Sequence, residues 1–252
     1  MPKHLYENWC DIKKLDVASS RRLYLFNEKA GVRANVHDEI VKTVHSHYED
    51  PKWLADRIKR IGFSKASIIL EKMLPKTKTA RSGHLGEIFA TEVVNVVFPS
   101  FIVPIKRLRW LDGRESALRG EDVIGIAVEK TKVRFLKGES KSSVSITPSI
   151  IAKARVALNA SDGRPSEHAM TYVMHRLFEL GDNSTAQIFE SCLIGKTIPL
   201  NDLIHLIFAF SGNDASSQLS SDLTAYTGKI EQHAINLRIQ DHQDFINSIY
   251  KK

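Results

Sequence analysis

The sequence predicts an α/β fold with a mixed sheet and an additional N-terminal helical region, and three observations carry it. Apolar residues recur at helical spacing after Ser82, three segments rich in β-branched and aromatic residues follow, and helical and extended patterns then alternate to the C-terminus. At 252 residues and 42% hydrophobic, the chain is long and apolar enough to bury a substantial core.

The N-terminal third reads as helical. Segments from Asp38 onward, from Pro51 to Ile58 and from Ser64 to Met73 place apolar residues three and four apart. Pro75 and the run Lys76-Thr77-Lys78-Thr79 break that pattern, so a boundary is expected near residue 80, dividing a basic region (1–80) from a core (81–252). Leu85, Ile88, Phe89, Val93, Val96 and Val97 then fall on one helical stripe that Pro99 stops. Extended segments are expected at Phe101–Trp110, Asp122–Val128 and Val133–Lys137. Thr147-Pro148 opens a helix to about Asn159, with proline tolerated in its first turn. Two more helices follow at Ser166–Leu180 and Ser184–Leu193. Strands at His205–Phe210 and Ala234–Ile239 and a helix from Asp241 complete the order.

Charge is unevenly spread. Residues 1–81 hold 17 Lys or Arg against 10 Asp or Glu, and residues 101–160 hold 12 against 6, so the net charge of +7 sits in an N-terminal arm and a central segment. Both suit a polyanionic partner. Cys10 and Cys192 stand far apart, outside any paired-thiolate spacing, which argues against a disulfide framework or structural zinc and for a reducing cytoplasm. The start lacks the apolar stretch of a secretory signal, and no run approaches the roughly 20 apolar residues needed to span a bilayer, so no membrane partner is expected.

The chemistry concentrates in a hairpin. With a turn at Lys130-Thr131, Glu129 opposes Lys132, and the same register sets Asp122 opposite Glu139. Facing side chains on an antiparallel pair lie about 5 Å apart, and like charges there repel unless something offsets them. A divalent cation between the carboxylates does so, Mg²⁺ favouring a few carboxylate oxygens together with water and phosphate. Lys141, two residues beyond Glu139, falls on the same strand face, as does Lys137, which is expected to hold a backbone phosphate. The arrangement suits metal-assisted phosphodiester hydrolysis.

A Glu-x-Lys triplet alone says little. Asp11-Ile12-Lys13 and Asp50-Pro51-Lys52 arise in the N-terminal arm and read as solvated surface, whereas Glu139-Ser140-Lys141 ends an apolar strand opposite an acid. Glu87, one turn beyond Ser82, suits either a dipole-stabilised carboxylate or a member of the metal shell. His45 and His47 diverge on a helix and read as exposed, His175 and His205 read as core, and Ser142, Ser143 and Ser145 read as a polar loop.

Four ordered blocks carry a resemblance: Arg81-Ser82-Gly83-His84-Leu85-Gly86-Glu87, Arg119-Gly120-Glu121-Asp122, Lys137-Gly138-Glu139-Ser140-Lys141 and Asp241-His242-Gln243-Asp244-Phe245-Ile246. They are similar to the PD-(D/E)XK, restriction-endonuclease-like nucleases, whose core is αβββαβ, and more narrowly to the nuclease subunits (HamA) of Hachiman anti-phage defence. The resemblance covers about residues 81–252. It implies Mg²⁺, with Mn²⁺ as substitute, held by Asp122 and Glu139 with Glu87 from the first core helix, and Lys141 as catalytic lysine. It also implies DNA as substrate and a superfamily-2 helicase subunit (HamB) as partner, and Arg119 joins Lys137 as an expected nucleic-acid contact. The sequence holds no phosphate-binding Gly-x₄-Gly-Lys-Ser/Thr loop, so ATP-driven movement of DNA falls to that partner. Glu121 replaces the superfamily's proline, leaving open whether Glu121 or Asp122 faces the metal. Two other readings are a catalytically inactive DNA-binding or scaffold subunit of the same fold and an RNA-directed nuclease toxin.

Overall fold

Strands Cys10–Ala18 (β1), Arg21–Glu28 (β2), Val123–Glu129 (β3), Lys132–Ser143 (β4), Leu203–Ser211 (β5) and Glu231–Arg238 (β6) form one sheet in the order β1-β2-β6-β5-β4-β3. They belong to a computed structural model that describes residues 3–116, 120–129, 132–195 and 198–251. β1–β2 and β3–β4 are antiparallel hairpins, while β2, β6, β5 and β4 run parallel, so the sheet is mixed as expected.

β5 lies at the centre and every one of its residues is buried. This explains why residues 203–210 are apolar but for His205, because both faces of a central parallel strand are covered. Ile204, Leu206, Phe208 and Phe210 join a core with helices Lys3–Trp9 (α1), Arg33–Ser46 (α2), Lys78–Val97 (α5) and His242–Tyr250 (α10). Its alternate residues meet the other layer. Ile207 and Ala209 pack with Pro148–Asn159 (α6) and Ser216–Ala225 (α9), and Leu203 packs with Glu167–Leu180 (α7) and Asn183–Gly195 (α8). α6 to α8 carry the crossover from β4 to β5 and α9 that from β5 to β6, as parallel neighbours require.

Helices Pro51–Ile61 (α3) and Phe63–Met73 (α4) stand where the apolar spacing predicts them, and the Asp50 side chain caps α3 by accepting from Lys52 N–H at 2.8 Å. Four features differ from expectation. Residues 10–28 form the β1–β2 hairpin, which pairs in parallel with β6 and so extends the core sheet. Phe101–Trp110 is not a strand: Ile102 alone bridges to Ile126, Pro104 has no N–H to offer a ladder, and Arg107–Trp110 coils into a 3₁₀ turn. The serine-rich α9 is an additional helix. Finally, α5 begins at Lys78, with the Thr77 hydroxyl accepting from Ala80 N–H, which places Glu87 in its third turn. Dipole stabilisation fades beyond the first turn, so it does not account for a carboxylate there.

Phe89 of α5 is the hub of the first core, with ring centroids 5.6 Å from Trp9 and 5.2 Å from Phe210. Phe89→Ala is expected to cost about 3–5 kcal/mol in chemical denaturation. Ile194→Ala, at a side chain 80% exposed, is expected to change stability by less than about 0.5 kcal/mol.

Candidate active site

The hairpin register is the expected one. Glu129 pairs with Lys132 and each pair inward follows to Val123 opposite Gly138, although the turn residues 130 and 131 lie outside the described residues. Asp122 stands just beyond the last pair, and its Oδ2 accepts the Ser140 N–H of the neighbouring strand at 2.8 Å. That bond fixes the carboxylate beside Glu139 and leaves it a second oxygen to offer. The Lys141 ammonium donates to Glu139 Oε1 in a short ion pair.

Glu121 faces the opposite way. Its oxygens accept from Ser166 N–H at 2.8 Å and Ser166 Oγ at 2.9 Å, capping the start of α7, and the Lys137 ammonium lies 3.5 Å away. Strand alternation leaves one of the two acids for the site, and the geometry selects Asp122. Lys137 itself is buried and donates to the carbonyls of Ala160 and Arg164 at 2.8 and 2.9 Å. The expectation that it holds a backbone phosphate is therefore corrected: its charge serves the loop after α6 and Glu121. Arg119 lies outside the described residues.

Glu87 comes to the site on α5, which packs close against β4 at Gly86. A Cβ at Gly86 would stand 2.8 Å from Ser140 Oγ and 3.1 Å from Ser142 Cβ, so any side chain there would require the Ser140 hydroxyl to turn away and Ser142 to shift. Burial raises the Glu87 carboxyl to about 8, with the charges of Asp122 and Glu139 adding to the rise and Arg107 and Lys141 opposing it. Glu139 is raised to about 6 by burial and by Asp122, against Lys141 and Lys137. Asp122 is raised by burial, while the Ser140 N–H, Lys141 and Arg107 hold it down. Glu87, Asp122, Glu139 and Lys141 thus share one electrostatic field.

Among the described residues, no three His, Cys, Asp or Glu side chains are gathered closely enough to hold a metal ion. The chemistry of the donor set nonetheless fits a hard divalent cation, since it offers carboxylate oxygens in surplus over cations, largely removed from water.

A model of the HamA family matches residues 3–252. The chain belongs to the HamA family. No curated protein matches it. HamA membership supports a nuclease role in antiviral defence in general terms. Among the described residues no helix is long and apolar enough to cross a membrane.

Arg107 escaped the sequence reading. This buried arginine donates to the Glu121 carbonyl, holding the Glu121-Asp122 backbone, and its charge lowers the pKa of both Glu87 and Asp122. Its only sequence signal was its place in the central basic segment. The histidines also differ from expectation. His47 is buried with Nε2 2.6 Å from Glu92 and burial lowers its pKa, whereas His175 is exposed. His205 is buried as expected and contacts the Gly163 carbonyl at 2.7 Å. Ser142 and Ser143 end β4 in place of opening a loop, and Ser142 Oγ lies 2.7 Å from Ser82 Oγ, joining that strand to α5.

Two outcomes follow from this geometry. The folded pKa of Glu87 exceeds its unfolded value of about 4.5, so between about 4.5 and 8 the folded chain holds more protons than the unfolded one, and stability falls as pH rises through that window. Without divalent cations, the Tm of the protein is expected to drop between about pH 5 and 8.5, and Glu87→Gln is expected to flatten the profile; a wild-type Tm that climbs over this range contradicts the shift. Lys137→Ala is expected to lose about 3–5 kcal/mol of stability, because it leaves the buried Glu121 carboxylate and two carbonyls short of a partner. Urea denaturation measures this, and a loss confined to DNA affinity would return Lys137 to the binding surface.

Proposed function

We propose that this chain is a Mg²⁺-dependent deoxyribonuclease that hydrolyses phosphodiester bonds in cytoplasmic anti-phage defence, together with a superfamily-2 helicase subunit. The observation that supports it most is the meeting of Asp122, Glu139 and Lys141 at one end of the β3–β4 hairpin, with Glu87 in the same field. Asp122 and Glu139, with Glu87, would hold Mg²⁺ or Mn²⁺. Once bound, such an ion supplies Lewis acidity at the phosphate and a water of lowered pKa. The protein's part is orientation and charge. The Ser140 N–H fixes the Asp122 carboxylate, so that it need not reorganise when substrate arrives. The Lys141 ammonium would donate to a phosphate oxygen as negative charge accumulates there. Carboxyls raised towards neutrality take up cations less readily in acid, so Mg²⁺ affinity should increase from about pH 6 to 8.

The N-terminal region, residues 1–80, is assigned to partner or DNA contact on its excess of basic residues while its β1–β2 hairpin completes the sheet, and residues 81–252 to the part of the nuclease core that carries the candidate site. Purified protein, with and without the helicase, is expected to cleave DNA when Mg²⁺ or Mn²⁺ is supplied. Glu139→Ala and Lys141→Ala are each expected to lower the rate by about 10²-fold or more with unchanged circular dichroism. Duplex, nicked and single-stranded DNA and RNA, compared in one assay, give the substrate class. Wild-type rates in both variants would refute the site, and cleavage of RNA alone would refute the substrate.

A further inference from the structure

We propose that the groove between α3, α4 and the end of α10 is a docking site for a protein partner, which seats large apolar side chains there from an otherwise acidic segment. The inference rests on the partner half of the function proposed above.

The groove is a cavity of about 470 Å³, within the size range in which proteins enclose ligands, and Leu54, Ile58, Phe63, Leu70, Leu74 and Tyr250 form its apolar lining. α3 above it is unusual. Trp53, Leu54, Ile58 and Ile61 recur at helical spacing, yet none of the eleven residues of α3 is fully buried. An isolated helix of this length is marginal in water, and its stability normally comes from packing such a stripe. On α4, Phe63, which lines the groove, is 70% exposed. Single exposed apolar residues are ordinary, but Phe63 stands with Leu54, Ile58, Leu70 and Leu74 around one concavity, and such a set marks an interaction surface.

Charge and shape choose the occupant. Residues 50–76 hold seven Lys or Arg against three Asp or Glu, and the groove's own rim sets Lys76, Arg81 and Lys251 against Glu71. An anionic partner is therefore favoured. A nucleic-acid backbone supplies the charge but leaves the apolar lining unfilled. A bilayer takes up a protruding apolar ridge, whereas Leu54, Ile58 and Leu70 line a hollow that fits side-chain knobs. Acidic protein segments with aromatic or aliphatic anchors satisfy both features.

The groove also lies close to the candidate active site along the chain. Arg81, on its wall, is six residues before Glu87 on α5, and its guanidinium lies over the Tyr250 ring at 5.5 Å. The Tyr250 hydroxyl meets that of Tyr48 at 2.9 Å, and Tyr48 in turn meets His84 Nδ1 of α5 at 3.0 Å. An occupant would thus touch the helix that carries Glu87.

The test measures affinity of the full-length protein for the helicase subunit, using wild type, Phe63→Asp and Lys76→Glu. Duplex-DNA affinity, flotation with anionic phospholipid vesicles and Mn²⁺-dependent cleavage are measured on the same preparations. Phe63→Asp is expected to weaken helicase binding at least tenfold. Lys76→Glu is expected to weaken it severalfold, more at low than at high salt. Cleavage by the protein alone, DNA affinity and vesicle binding should be unchanged. Both variants binding the helicase within twofold of wild type would overturn the proposal, as would variants that lose only DNA affinity or only vesicle binding. A helicase that does not bind wild type overturns it too, while the nuclease reading still stands or falls on Glu139→Ala and Lys141→Ala.

Discussion

The candidate site depends on one hydrogen bond, from the Ser140 N–H of β4 to the Asp122 carboxylate at the end of β3. It holds a negative side chain next to Glu139, where two like charges on neighbouring strands repel, and it does so in a setting already short of water. The cost appears as carboxyl groups pushed towards neutrality, most of all Glu87. A folded chain tolerates such a concentration of unfavourable charge where function needs it, and strongly perturbed acids beside a lysine are a physical signature of such a place.

The surrounding structure leaves those side chains little freedom. Glu121 is held by Ser166 and Lys137, so the backbone between Glu121 and Asp122 is gripped from the far side, while Arg107 clasps the Glu121 carbonyl. Gly86 lets α5 close onto β4, and the Ser82–Ser142 contact ties the two elements together. β4 pairs with the fully buried β5 along nine residues, anchoring the strand that carries Glu139 and Lys141 to the least accessible part of the sheet. Groups set on rigid elements and locked by a surrounding shell retain their geometry, as the proposed hydrolysis would require.

Much of this was legible in the sequence, for reasons that can be named. The β3–β4 register followed from pairing arithmetic because two apolar runs flank a short polar turn, and β5 announced itself by the apolar stretch that follows His205. The β1–β2 hairpin did not, since β1 reads Cys-Asp-Ile-Lys-Lys-Leu-Asp-Val-Ala and six consecutive residues of this edge strand are exposed, which erases the alternation that betrays a strand. Phe101–Trp110 has strand composition, but Pro104 and the absence of a paired ladder override it. α9 was hidden by its serines, although a crossover between the parallel β5 and β6 demanded an element there. At the site, the choice between Glu121 and Asp122 and the burial of Lys137 both turn on the N-terminus of α7 and the loop after α6, distant in sequence and invisible to local pattern.

Anomalous scattering from Mn²⁺-soaked crystals tests the central claim most directly. The account predicts one strong peak within coordination distance of carboxylate oxygens from both Asp122 and Glu139, diminished in Glu139→Ala crystals. A peak elsewhere on the molecule, or none at saturating Mn²⁺, would contradict it.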